Sequence, residues 1–168
     1  MKIAIIGYSG SGKSTLARYL SEKENIPVLH LDTVQWLPGW ESRDRHEKEK
    51  IVLDFLDSND AWVIDGNYTK LYQERRLEEA DIIIEMLFGR FDCYNRCKER
   101  YIKYKGKNRP DMTAGCDEKL DKEFKRWIFF GGRTKEIRRH YKDIKSKYFN
   151  KTVVLRNQKE LDKFIANI

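Results

Sequence analysis

The chain has 168 residues, 40% of them hydrophobic, enough for one domain with a buried core. No apolar run approaches the roughly 18 residues of a membrane-spanning helix, and Cys93, Cys97 and Cys116 cannot all pair, which argues against a disulfide-built secreted scaffold. The net charge is +7, and residues 89–150 hold 19 Lys/Arg against 9 Asp/Glu, a local net of +10, so the basic half suits nucleic acid, a membrane surface, the phosphates of a small substrate, or plain solvated helix faces.

The first predicted element is a strand over Lys2–Gly7. Its apolar run is too short for a signal peptide and passes straight into a loop, so a cytoplasmic location is expected. That loop, Gly7-Tyr8-Ser9-Gly10-Ser11-Gly12-Lys13-Ser14-Thr15, has the spacing G-x-x-x-x-G-K-S. It is the phosphate-cradling Walker A pattern, set between a strand and a helix predicted over residues 14–23. Glycines at these positions let successive backbone N–H groups converge on one anion, and the helix N-terminus adds its dipole. Gly7, Ser9, Gly10, Ser11, Gly12, Lys13, Ser14 and Thr15 are therefore the expected nucleotide-binding residues. Lys13 would reach the β- and γ-phosphates, and the Ser14 hydroxyl would bind Mg²⁺.

A second strand is predicted over residues 28–32, with His30 as a packed core histidine. Asp32 at its end is a candidate to orient an acceptor hydroxyl or take its proton, and equally a turn or cap aspartate. Trp36 and Trp40 follow, as walls of an acceptor pocket or as core cover. A helix over residues 44–56 leads to a third strand, residues 61–65, ending in Asp65. This is the form of a Walker B element, whose carboxylate would hold Mg²⁺ beside Ser14. Gly66 stands where motor ATPases carry a water-activating glutamate, which favours transfer to a bound acceptor over hydrolysis. Asn150-Lys151-Thr152-Val153 lacks the guanine-specifying N-K-x-D pattern, so ATP is the expected donor.

A helix over residues 69–79, a strand over 81–87 and a helix over 91–104 come next. Arg96 and Arg100 share a face of that last helix. Either guanidinium suits an adenine ring or phosphate oxygens. Cys93 and Cys97 are spaced C-x₃-C with no evident fourth ligand, so reduced thiols are expected rather than a zinc site. Residues 103–113 are basic and poor in core residues, a mobile flap within a lid-like segment of about 101–126. Arg109, Arg126 and Arg133 are its candidate arginines for stabilising transferred charge. A long helix over 117–147, a fifth strand over 152–156 and a helix over 159–167 complete the chain. Nearly continuous apolar strands alternating with helices predict one α/β domain with a parallel five-stranded sheet, functional groups lying past the strands' carboxyl ends.

With these residues in view, the chain resembles the adenylate-kinase-like branch of P-loop kinases. The matches are Gly7–Thr15, Val63-Ile64-Asp65-Gly66 and Arg96-x-x-x-Arg100. Leu31-Asp32, Trp36-Leu37-Pro38-Gly39-Trp40, Trp62–Tyr68, Arg109-Pro110-Asp111-Met112, Gly115-Cys116, Glu123-Phe124 and Trp127 are similar to a related bacterial group called DNA topology modulation proteins. The resemblance implies a three-layer fold with strand order 2-3-1-4-5, ATP with Mg²⁺ as donor, and an acceptor site between Asp32 and the lid. Asn67-Tyr68 replaces the Pro-Arg by which adenylate kinases grip a nucleoside monophosphate, which puts AMP in doubt as acceptor. The expected activity is ATP-dependent phosphoryl transfer to a small molecule or nucleotide, with Lys13, Asp32, Arg100 and Arg109 catalytic, Arg96 at the nucleotide, and Ser14 and Asp65 at the metal. The alternative is a nucleotide-binding, DNA-associated regulator with little turnover.

Overall fold

A computed structural model describes residues 1–168. The run Lys2–Gly7 forms β1, flanked by two parallel neighbours, β5 (Trp62–Asp65) and β6 (Ile82–Met86). Outside them lie β2 (Val28–His30) and β7 (Thr152–Leu155), also parallel, in the order β2-β5-β1-β6-β7. Counting these five strands alone in chain order gives 2-3-1-4-5. Two short strands, β3 (Trp36–Leu37) and β4 (Glu41–Ser42), form a separate antiparallel hairpin.

Both faces of the sheet are covered, as its unbroken apolar strands require. Ile3, Ile5, Val63, Ile84 and Met86 face one layer with Leu16, Ala17 and Leu20 of α1 (Lys13–Glu24). Cys93 and Cys97 of α5 (Arg90–Tyr104) and Leu161 of α8 (Gln158–Asn167) pack in the same layer. Ala4, Ile6, Ile64 and Ile83 face the other layer, beneath Leu31 and Val34 of α2 (Leu31–Gln35) and Val52 and Leu56 of α3 (Arg45–Ser58). Leu77 of α4 (Gln73–Glu79) and Tyr141 and Ile144 of α7 (Lys135–Lys147) complete that side. No helix is long and apolar enough to cross a membrane.

Four sequence expectations need correction. The second strand stops at His30, because Leu31 and Val34, three apart, both turn into the core as one short helix. Asp32 therefore lies in the first turn of α2 rather than on a strand end. The fourth helix begins only at Gln73, since Tyr72 adopts a left-handed conformation (φ 50°).

The long helix expected over 117–147 is two helices, α6 (Lys122–Phe129) and α7. Asp121 caps the first through Phe124 N and Thr134 caps the second through Ile137 N. Between them the chain turns at Gly131 and Gly132, pressed on the Trp127 indole so closely that a Cβ would sit 2.9 and 3.1 Å from it.

The expected flap is docked. Thr113 Oγ1 donates to the Trp36 carbonyl at 2.6 Å, Cys116 Sγ to the Leu37 carbonyl at 3.1 Å, and Gly39 N to the Gly115 carbonyl at 2.9 Å. Arg109, Met112 and Cys116 are buried by this seam. Two side chains and the Gly115 carbonyl of the segment find their partners on the hairpin, which residue composition alone does not reveal.

Candidate active site

The phosphate loop is built by close approach. Gly7 has φ 141°, and a Cβ there would lie 2.2 Å from the Met86 carbonyl oxygen of the neighbouring strand. Asn67 clasps the same glycine: its Oδ1 accepts from Gly7 N at 2.8 Å and its Nδ2 donates to Gly7 O at 2.6 Å. Gly12 (φ 98°) precedes α1 with no side-chain cap, so the first amides of the helix stay open to an anion. Lys13 folds back over the loop, donating to the carbonyls of Gly7 at 3.0 Å and Tyr8 at 2.9 Å. Desolvation lowers its pKa, and the carboxylates of Asp32 and Asp65 oppose that shift. Ser11 is buried with its hydroxyl unpartnered. Ser9 Oγ accepts from Trp127 Nε1 at 3.1 Å, while Thr15 is exposed in the first turn of α1.

Asp65 meets the loop from the end of β5. Its Oδ2 accepts from the Ser14 hydroxyl at 2.8 Å and its Oδ1 pairs with His30 Nδ1 at 2.5 Å. His30 is thus a partner of this carboxylate rather than a passive core residue. Desolvation works against its charged form, but the Asp65 contact prevails and the imidazole pKa rises. Two hard oxygen donors held side by side, one ionic and steered by a second residue, suit Mg²⁺.

Asp32, in the first turn of α2, acts on Lys13 through its charge. Tyr68 donates its hydroxyl to Asp32 Oδ1 at 2.7 Å, and burial together with that carboxylate raises the phenol pKa, so the hydroxyl keeps its proton. Arg109 approaches Asp32 Oδ2 at 3.4 Å and Glu118 Oε2 at 3.4 Å. Arg100 is held by Glu118 Oε1 at 2.6 Å. The structure therefore brings Lys13, Ser14, Asp65, Asp32 and Arg109 to one end of the sheet, and it places Arg100 behind Glu118.

The other arginines sort clearly. Arg96 Nη1 donates to the Ser11 carbonyl at 2.6 Å, and its guanidinium covers the Phe88 ring at 4.3 Å. It also reaches Gln158 and lines an open cleft of about 620 Å³ with Asp92, Asn157 and Lys159. Arg133, expected in the lid, turns inward. It stacks on Tyr8 at 3.9 Å and donates to the carbonyls of Ile128 and Phe88. Arg126 is exposed.

Sequence reasoning missed several contributors. Arg76 is fully buried and donates to the carbonyls of Leu71, Gly66 and Tyr68, fixing the loop that presents Asn67 and Tyr68. Burial lowers its pKa to about 10. A lone helical arginine carries no sequence signal for such a role. Asn67 and Tyr68 stood out only as part of a matched stretch, and Glu118 not at all, none of them with a partner in view; their partners are 60, 36 and 18 positions away.

The AAA domain family model matches residues 3–161. Among curated proteins, the shikimate kinase of Flavobacterium johnsoniae is 29% identical over 138 residues, spanning 73% of this chain and 77% of that protein. Among solved structures, the shikimate kinase of Bacteroides thetaiotaomicron shares the fold, with a TM-score of 0.52 at 12% identity over 99% of this chain and 95% of that one. A gluconokinase from Sinorhizobium meliloti 1021 aligns over 66% of this chain and 68% of its own at 19% identity, with a TM-score of 0.43.

Proposed function

Since the chain belongs to the AAA domain family, and its fold is that of a P-loop kinase, we propose that it transfers the γ-phosphoryl group of ATP to a hydroxyl of a small molecule. The observation that carries this reading is the position of Asp32. Its charge bears on Lys13, the residue that grips the transferring phosphate in P-loop proteins. A carboxylate whose charge acts on that lysine is suited to receive the proton of an acceptor hydroxyl.

Ser14 and Asp65 are the residues that would hold Mg²⁺, and bound there the ion supplies positive charge to the phosphate oxygens. Lys13 releases the Gly7 and Tyr8 carbonyls and pairs with the phosphates. Asp32 accepts the proton of the acceptor hydroxyl as its oxygen forms the new bond to phosphorus; the bond from phosphorus to the bridging oxygen breaks, and ADP leaves with that electron pair. Arg109 stabilises the charge in transit. Arg96 and the cleft beside it take the adenosine end.

The shikimate kinase relative supports an acceptor that is a small molecule. The alternative of a DNA-associated regulator draws on the basic segment, but Arg96, Arg100, Arg109 and Arg133 within it are turned onto protein partners. ADP release measured with and without a panel of candidate acceptors tests the proposal. Turnover is expected only with an acceptor present and is lost in Lys13→Ala. Equal ADP release with and without every acceptor contradicts it.

A further inference from the structure

Lys13 is engaged before any nucleotide arrives, its ammonium group donating to the carbonyls of Gly7 at 3.0 Å and Tyr8 at 2.9 Å. Both bonds have to break for it to reach a phosphate. Gly7 is buried, so a carbonyl left there without a donor would oppose binding. Each of the two carbonyls has a second donor. Tyr8 O also accepts from Ser11 N at 3.2 Å, within the loop itself. Gly7 O also accepts from Asn67 Nδ2 at 2.6 Å, from outside the loop.

The place where β5 ends gives Asn67 this role. The pairing of β1 with β5 runs from Lys2 on Trp62 to Ile5 on Asp65, so Gly7 lies past the last paired residue on that side. The Asn67 amide takes the place of a strand there, accepting from Gly7 N at 2.8 Å while it donates to Gly7 O. Its own backbone is pinned. Gln73 Nε2 donates to Asn67 O at 3.1 Å, and Arg76 donates to the carbonyls on either side, Gly66 at 3.3 Å and Tyr68 at 2.9 Å. Gln73 and Arg76 are themselves buried.

We infer that Asn67 is the positioning residue that makes Lys13 available to a polyphosphate. With Asn67 in place, Gly7 O keeps a donor when Lys13 moves away. Without it, that carbonyl competes with the phosphates for the ammonium group. The bond to Gly7 N is made with and without nucleotide, so it cancels from the binding equilibrium. This rests on the reading of Gly7–Ser14 as the nucleotide loop, and it ties a residue outside that motif to the motif's lysine.

The test is a double-mutant cycle on the affinity for ATP with Mg²⁺, measured calorimetrically for wild type, Asn67→Ala, Lys13→Ala and the double variant. Urea melts establish that each protein is folded. Asn67→Ala is expected to weaken binding about tenfold when Lys13 is present, the effect of one stranded buried carbonyl. In the Lys13→Ala background, where no lysine has to be released, the same substitution is expected to change affinity by less than about twofold. A residue that merely shaped the loop would cost the same factor in both backgrounds, because the loop amides meet the phosphates in either. Equal losses in the two backgrounds therefore overturn the inference, as does undiminished affinity in Asn67→Ala. Asn67→Leu, close in volume and without a donor, takes the same place in the cycle where the alanine variant does not fold. Equal affinity of wild type and Lys13→Ala overturns the reading of the loop itself, and this inference falls with it.

Discussion

The hydroxyl of Ser14 and the carboxylate of Asp65 meet at 2.8 Å although the two residues are 51 positions apart, and His30 steadies the opposite carboxylate oxygen. The contact joins the phosphate loop to β5, the strand beside β1 in the sheet, and sets two hard oxygens side by side where the proposed metal ion would bind. Asp65→Asn keeps the hydrogen bond geometry but removes the charge. The expected result is that Mg²⁺ no longer strengthens ATP binding, with a loss of about 10–100-fold in affinity at saturating metal. Calorimetric titration with ATP in the presence and absence of Mg²⁺ measures it. An undiminished Mg²⁺ effect in the variant removes Asp65 from the metal site.

Gly7 is a packing position as well as a flexible one. Gly7→Ala forces a Cβ to within 2.2 Å of the Met86 carbonyl oxygen at a φ of 141°. The central sheet has to part or the loop has to move, at a cost of more than about 2 kcal/mol. Urea denaturation of wild type and variant reads the difference. Equal midpoints contradict the tight seam between β1 and β6.

Glu85 lies in β6, buried, with Oε1 lacking any partner. Burial raises its pKa from 4.5 to about 7 against the opposing pull of Lys145 and Arg156. The native state therefore binds more protons than the unfolded chain between those values, so stability falls as pH climbs through that window and levels off above it. Glu85→Gln removes the penalty: its stability relative to wild type is expected to improve from pH 4.5 to 8 by up to about 3 kcal/mol. Denaturant melts at several pH values test this, and a constant difference would show that Glu85 titrates normally.

Trp127 bonds to Ser9 at the lip of the phosphate loop. ATP binding is expected to disturb that bond and change the protein's tryptophan emission. Trp127→Phe should abolish most of the change while Trp36, Trp40 and Trp62 remain. A signal that survives intact in the variant means the loop binds nucleotide without moving this indole.

The sequence disclosed most where chemistry demands fixed spacing. Gly7 to Ser14 admits few structural solutions, and an apolar strand ending in Asp65 has few others once that loop is present. The strand order came from resemblance and agrees with the sheet. Asp32 was set on the wrong element, because residues 28–32 read as one apolar run and only the Leu31–Val34 spacing hints at a helix. Gly131-Gly132 marks a break inside the supposed long helix, a turn signal that the reading of 117–147 as one helix passed over. The ties of Arg76, Glu118 and Arg133 were illegible for a different reason. Burial of an arginine depends on which carbonyls or carboxylates the fold brings to it, and nothing local distinguishes such a residue from a solvated one.

The central claim is that the loop from Gly7 to Ser14 grips a polyphosphate through Lys13. Isothermal titration of Mg²⁺ and ATP into wild-type protein and Lys13→Ala tests it most directly. Saturable binding to wild type, weakened about 10–100-fold in the variant, is expected from the loss of one charge-assisted contact; no heat of binding at millimolar ATP, or equal affinity in the two proteins, contradicts the account.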